Sequence, residues 1–407
     1  MTDRSPSDRT PQFDPALARG LVSRRGMLAG IGATGLATLL AACGTKGTAG
    51  KANPTAQAAT DRSDTEKVVS WSNWPEYIDV DDKTKTHPTL DAFTKQTGIK
   101  VTYTEDYNDN DEFFAKVQPQ LRAGADTGRD VWCSTDWMVA KLIRLNWVQK
   151  LDKANIPNAK NLQDTLVNVE FDPGRQFSLP WQSGFTGIGY NPKATGGRKI
   201  ETYEQLLTDK TLKGKVTLLT EMRDTVGMML LAMGKDPANF TDADFDAAIK
   251  EIETAKNSGQ LKGFTGNEYG KGLASGDIAA CLAWTGDVVQ LQADNPALGY
   301  TLPASGHMIW SDNFVIPNKA KHKKNAEVLI DYYYDPKVMA QVVDYVNYIS
   351  VVKGAEQLLL ADDPEVAKNP LIFPSEAVLA RAHVFRGLTE EEETKYNKAF
   401  QALTTGG

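Results

Sequence analysis

From Val68 onward, short apolar runs alternate with longer stretches whose apolar residues recur every three or four positions, as expected for strands interleaved with helices. The pattern predicts strands at 68–71, 130–133, 215–219 and 278–283, and another from the alternation of Ile99, Val101 and Tyr103. A helix is expected from Leu90, with Pro88 beside its first turn and Gly98 as its stop. Asn110 reads as the N-cap of a second helix carrying Phe113, Val117 and Leu121 on one face. The run of Met228, Met229, Leu230, Leu231 and Met233 reads as a core helix, and 242–258 as a long amphipathic one. Residues 178–181, 184–190 and 310–317 are extended and suit strands that cross between lobes. Helices dominate the remainder, where the acidic run 390–393 is expected to face solvent.

More than one crossing predicts two α/β lobes joined by strands around a cleft, a division that suits a chain of 407 residues. Residues 66–183 plus 284–314 are assigned to lobe 1, and 184–283 plus 315–405 to lobe 2. The stretch 278–290 concentrates the argument. Its six small or apolar residues end at Trp284, Thr285 and Gly286 make a turn, and Asp287 opens a helix-compatible segment. An indole and a carboxylate thus arrive together at the carboxyl end of a buried strand, where open α/β sheets hold ligands. A core tryptophan and an N-cap aspartate would look the same.

The N-terminus departs from this alternation. Residues 1–42 read as an export signal: adjacent Arg24 and Arg25 precede a short, glycine-broken apolar run, as in twin-arginine signals. Leu40, Ala41, Ala42 and Cys43 resemble a lipobox, which would make Cys43 a lipidated, membrane-anchoring first residue. Residues 43–65 are poor in apolar side chains and read as a flexible tether. Removing 1–42 takes away five Arg and three Asp, and the formal charge moves from −7 to −9. That balance argues against nucleic acid and mildly favours cationic ligands. Cys133 and Cys281 lie in apolar runs that suit buried free thiols, with a disulfide still open.

Signatures of common chemistries are missing. His87, His307, His322 and His383 carry no metal-pair spacing, and neither a nucleophile elbow nor a phosphate loop occurs, so no cofactor or metal is expected. What recurs is an acid with an aromatic ring at a strand end. Trp74, Glu76 and Tyr77 follow the first strand, and Ser134, Asp136 and Trp137 the third. Glu221 and Asp224 follow residue 219, and Trp284 with Asp287 follow the central strand. Each acid alone would be accounted for by a helix N-terminus, but the repeated rings are left over. Ring faces attract cations by about 2 kcal/mol when desolvated, and buried ammoniums need charged acceptors. The set therefore fits an extended amine.

At these positions the chain resembles the substrate-binding component of bacterial polyamine (spermidine/putrescine) ABC importers. The likeness lies in Asn73-Trp74-Pro75-Glu76-Tyr77, residues 93–101, Asp130-Val131 with Ser134-Thr135, residues 178–190 and 220–224, Trp284-Thr285-Gly286-Asp287, and Trp310-Ser311-Asp312. It implies a two-lobed periplasmic-binding-protein-like (type II) fold that closes on ligand, and a polyamine handed to an ABC permease. It implies ligand contacts from Trp74, Tyr77, Ser134, Asp136, Glu221, Asp224, Trp284, Asp287, Trp310 and Asp312. Asp136 stands where the spermidine binders would lead one to expect an aromatic residue, and the 221–224 loop is slightly shorter. The reading is a monomeric, exported, lipid-anchored binding protein without enzymatic activity. A sugar or metal-chelate binder in the same fold, or a surface-anchored hydrolase, are the alternatives.

Overall fold

The computed structural model describes residues 57–81 and 83–405. Arg24, Arg25, Cys43 and residues 43–56 of the expected tether lie outside the described residues. Among the described helices, none is long and apolar enough to cross a membrane.

β1 (Val68–Asn73) leads to α1 (Pro88–Thr97), which ends where Gly98 adopts φ 73°, a left-handed conformation that glycine takes without strain. β2 (Lys100–Glu105), α2 (Asn110–Ala123), β3 (Val131–Thr135) and α3 (Asp136–Arg144) complete a first α/β unit. Asp109, not Asn110, caps α2, accepting from the Glu112 N–H at 2.7 Å. The Asn110 amide is thereby free to act elsewhere. A small hairpin, β4 (Asn168–Val169) with β5 (Asp172–Pro173), precedes β6 (Ser178–Tyr190), whose 13 residues are all buried. The two extended runs read from the sequence are one strand.

The second unit repeats the plan through α4 (Tyr203–Thr208), β7 (Val216–Leu219), α5 (Met222–Ala232), α6 (Asp242–Asn257), β8 (Leu261–Thr265) and α7 (Tyr269–Ser275). It closes with β9 (Ala280–Trp284) and α8 (Thr285–Asp294). β8 escaped the pattern because only Leu261 in it is fully buried. β10 (Gly299–Thr301) and β11 (His307–Val315) lead back, followed by α9 (Lys323–Tyr333), α10 (Pro336–Val346), α11 (Ala355–Asp362), α12 (Pro364–Ala367), α13 (Glu376–Leu379), β12 (Ala382–His383) and α14 (Glu390–Thr405).

Hydrogen bonds link the strands in the order β2-β1-β3-β11-β6-β9-β7-β8. β1 runs parallel to β2 and β3, and β7 parallel to β8 and β9, while β6 and β11 pair antiparallel between the two sets. That direction reversal aims the carboxyl ends of β1 and β3 at those of β7 and β9. Two parallel halves thus face each other, joined by the crossing strands β6 and β11.

The division of the chain differs from the expectation at two places. Residues 323–346, expected with the second lobe, pack on the first. Trp181 lies 5.4 Å from Trp71, 5.0 Å from Phe314 and 5.0 Å from Tyr333 of α9, ring centroid to centroid, so α9 seals the first core. Residues 285–294, expected with the first, pack through α8 on α7 and β9 as well as on α10. The end of the expected tether is also held in place. Asp61 accepts the Lys324 N–H at 3.1 Å and Ser63 the Asn325 N–H at 3.0 Å, so the two side chains satisfy the open N-terminus of α9 from outside the helix. The Ala59 and Arg62 amides donate to the Asn318 and Lys321 carbonyls at 2.9 and 2.7 Å. Within the acidic run, Glu393 is buried rather than solvated, paired with Lys141 at 3.0 Å and Arg144 at 2.8 Å. Cys133 and Cys281 are both free and buried.

Candidate functional site

The four strand ends converge. Trp74 and Tyr77 after β1, Asp136 after β3, Glu221 and Asp224 after β7, and Trp284 with Asp287 after β9 all line one cleft between the halves. Trp310 and Asp312 join them from the crossing strand β11. Trp284 sits centrally, its ring centroid 6.1 Å from Trp74, 6.0 Å from Tyr269 and 6.5 Å from Trp310.

Asp287 is not an N-cap. It stands in the first turn of α8, where Trp284 is the capping position without a side-chain bond. Its carboxylate accepts from the Tyr269 hydroxyl at 2.6 Å, the Tyr348 hydroxyl at 2.6 Å and the Asn267 amide at 3.1 Å. Gly286 is helical rather than a turn, and its missing side chain has a purpose: a Cβ there would lie 2.3 Å from the Tyr348 ring. Without that glycine Tyr348 could not reach Asp287. Burial raises the Asp287 carboxyl, partly offset by its three donors.

Across the cleft, Asp224 accepts from the Thr186 hydroxyl at 2.8 Å and the Trp284 indole N–H at 2.9 Å. Burial pushes its carboxyl up to about 6. Glu221 is raised well above the usual carboxylate range by burial and by the nearby Asp111 and Asp224 carboxylates. It accepts from the Asn110 amide at 2.9 Å, and Thr220 donates to Asp109 at 3.1 Å. These two bonds join the first half directly to the second. Between Glu221 and Asp224, Arg223 also lines the cleft, its guanidinium 3.6 Å from the centroid of the Trp137 ring.

On the first half, Asp312 accepts from the Thr135 hydroxyl at 2.6 Å and the Tyr77 hydroxyl at 2.9 Å. Burial pushes it up to about 7. Asp136 accepts from the Asn313 amide at 2.8 Å, and Asn313 in turn accepts from buried Arg175 at 2.9 Å. Burial raises Asp136 as well, and the charge of Arg175 works against it.

Of the residues read from the sequence, Ser134 is the one outside the cleft lining. It is buried beneath it, hydrogen bonded to the Tyr107 hydroxyl at 2.8 Å. Strand parity explains this: successive residues of β3 point to opposite faces, so Ser134 turns inward while Thr135 reaches the cleft, and Asp136 lies past the strand at the start of α3. Glu76 faces a separate groove with His87, Tyr103 and Glu105. Sequence reasoning missed Thr135, Arg223, Asn267, Met308 and Tyr348, and also Val384 and Phe385 from the C-terminal segment; Trp137 it named among the rings but not among the ligand contacts. For Arg223 a signal existed, since it stands between Glu221 and Asp224. Tyr348 follows a helix whose end gives no hint of the cleft. Among the described residues no group of His, Cys, Asp and Glu is arranged to hold a metal ion.

Comparison with known proteins gives a consistent picture. Residues 89–374 match the family described as bacterial extracellular solute-binding protein. The chain is 30% identical to the putrescine-binding periplasmic protein of Escherichia coli K12 over 360 residues, covering 84% of this chain and 92% of that protein. It is 27% identical to the spermidine/putrescine-binding periplasmic protein of the same organism over 345 residues, covering 84% and 93%. A solved structure from Listeria monocytogenes, assigned to a spermidine/putrescine ABC transporter, superposes with a TM-score of 0.74 at 25% identity and covers 84% of this chain and 100% of its own.

Proposed function

The chain belongs to the bacterial extracellular solute-binding protein family, and from that premise we propose that it captures a polyamine between its halves and presents it to an ABC permease. The observation that carries the reading is the cleft itself. It gathers the carboxyl groups of Asp136, Glu221, Asp224, Asp287 and Asp312 with the rings of Trp74, Tyr77, Trp284 and Trp310, against the single cation of Arg223 among the described lining residues. Carboxyls raised by burial are costly to ionise alone and are stabilised by a guest that brings ammonium groups. Ring faces suit the methylene and ammonium parts of such a chain.

No covalent step is required. Ligand contacts made to both halves favour the closed arrangement, in which Asn110 meets Glu221 and Asp109 meets Thr220. The protein acts outside the cytoplasm, in keeping with its family. The finer address belongs to this proposal: twin-arginine export, cleavage before Cys43, lipidation of that cysteine, and a monomer at the membrane. Titration calorimetry with putrescine, spermidine, glucose and ferric citrate tests the reading. Heat from the amines alone supports it, and binding of glucose or ferric citrate instead overturns it. Cys43→Ala is expected to release the protein from the membrane fraction, and continued membrane association removes the anchor from the proposal.

A further inference from the structure

A plain polyamine leaves the Arg223 donors of the cleft unused. Arg223 is only 7% exposed, and its Nε and Nη1 are both buried without a hydrogen-bond partner among the described residues. Of the carboxylates around it, Glu221 accepts from Asn110, Asp224 from Thr186 and Trp284, and Glu393 pairs with Lys141 and Arg144, while Asp111 acts on it through space. Those carboxylates attract the guanidinium through space without accepting these two protons. Stacking on Trp137 at 3.6 Å fixes the plane of the group, so its donors are held in a rigid fork in the cleft lining. Buried donors left unmade are costly, and native proteins rarely keep them without a use. A free diamine offers only N–H donors and positive charge, the wrong partner on both counts. A carbonyl or carboxylate oxygen is the matching one.

We propose that the preferred guest is an end-modified polyamine, an N-acyl diamine whose carbonyl oxygen accepts from Arg223 while its free ammonium lies toward Asp287. This rests on the amine-binding reading above. It narrows that reading, because one end of the guest must bring an acceptor. Arg223→Leu then removes the contact and its charge. Arg223→Lys keeps the charge and loses the fork.

The test is calorimetry on the mature chain and both variants with putrescine, N-acetylputrescine and γ-aminobutyrate. Cooperative melting of each variant serves as the control for folding. In the wild type, N-acetylputrescine is expected to bind about ten-fold tighter than putrescine or better, the scale of one charge-assisted hydrogen bond. Arg223→Leu should abolish or reverse that preference, with Arg223→Lys between. Tighter binding of γ-aminobutyrate than of N-acetylputrescine overturns the acyl-diamine assignment, even where it is lost in Arg223→Leu. The proposal is overturned if putrescine matches or beats both acceptor-bearing amines in the wild type. An acyl preference that survives Arg223→Leu overturns it too. Those outcomes leave the amine receptor standing. Failure of all three probes and of spermidine would instead remove the receptor reading along with it.

Discussion

Asp287 and Arg223 mark two regions of one cleft that handle charge in opposite ways. Around Asp287, two phenols and an amide donate to the carboxylate, and Gly286 clears the approach of Tyr348. Every donor there is neutral, so the negative charge is held in position without being cancelled. Around Arg223, acids and base are neighbours, yet Glu221 and Asp224 are bound to other donors and the base keeps two of its own unused. The contrast shows that net charge alone does not define a site. What counts is which polar atoms remain available once the protein's own hydrogen bonds are made.

Removing the charge at the first region should have the largest effect. Asp287→Asn is expected to weaken amine binding by at least ten-fold, since a charged hydrogen bond contributes about 1.5–3 kcal/mol. An unchanged dissociation constant would take Asp287 out of the site. Trp284→Ala should lower affinity by roughly thirty-fold through loss of a ring face worth about 2 kcal/mol, and it also strips Asp224 of a donor. If the main outcome is instead a sharply lower melting temperature with affinity retained, Trp284 is a core residue and not a wall.

Acid should blur the comparison. Asp224 and Asp312, raised by burial to about 6 and about 7, ionise fully only above those values. Their folded values exceed the unfolded ones, so the stability they contribute to the empty protein is present below about pH 4 and lost as pH rises through about 6 to 7. A cationic guest reverses that preference. Its dissociation constant should therefore rise by roughly ten-fold through Asp224, and by more through Asp312, as pH falls from 7.5 to 5. The thermal shift it produces should be larger at pH 8 than at pH 5, and an equal shift at both would contradict the role given to these carboxyls. A smaller effect is expected of Asn110→Ala, which removes a bond between the halves worth about 1 kcal/mol. Affinity should fall several-fold, mainly through faster release in stopped-flow. Ser134→Ala, beneath the cleft, should change affinity by less than about two-fold, since its hydroxyl meets Tyr107 rather than the lining.

The strand ends were legible because a buried parallel strand needs a continuous apolar run, and the residue that breaks the run marks the rim. Trp74, Asp224, Trp284 and Asp287 were found that way. Ser134 was misplaced because a strand buried on both faces has no polar alternation to reveal its parity. The two crossings were visible in composition. The return of α9 to the first core was not, because the contact of Tyr333 with Trp181 is long-range and has no local signal. Tyr348 depends on Asn347 taking a left-handed φ of 57° to end α10, and nothing in the local pattern says where the next ring then points. Arg223 stood among chosen acids and was passed over, since only coordinates show a hydrogen bond that is missing.

The lashing of residues 59–63 to the head of α9 has a mechanical outcome. Any tug on the chain upstream enters the molecule through the half built on β1 and stops there, because Asp61 and Ser63 clamp it to a helix of that same half. That half becomes the stator and the other the rotor, so the jaw can swing while its mooring stays still.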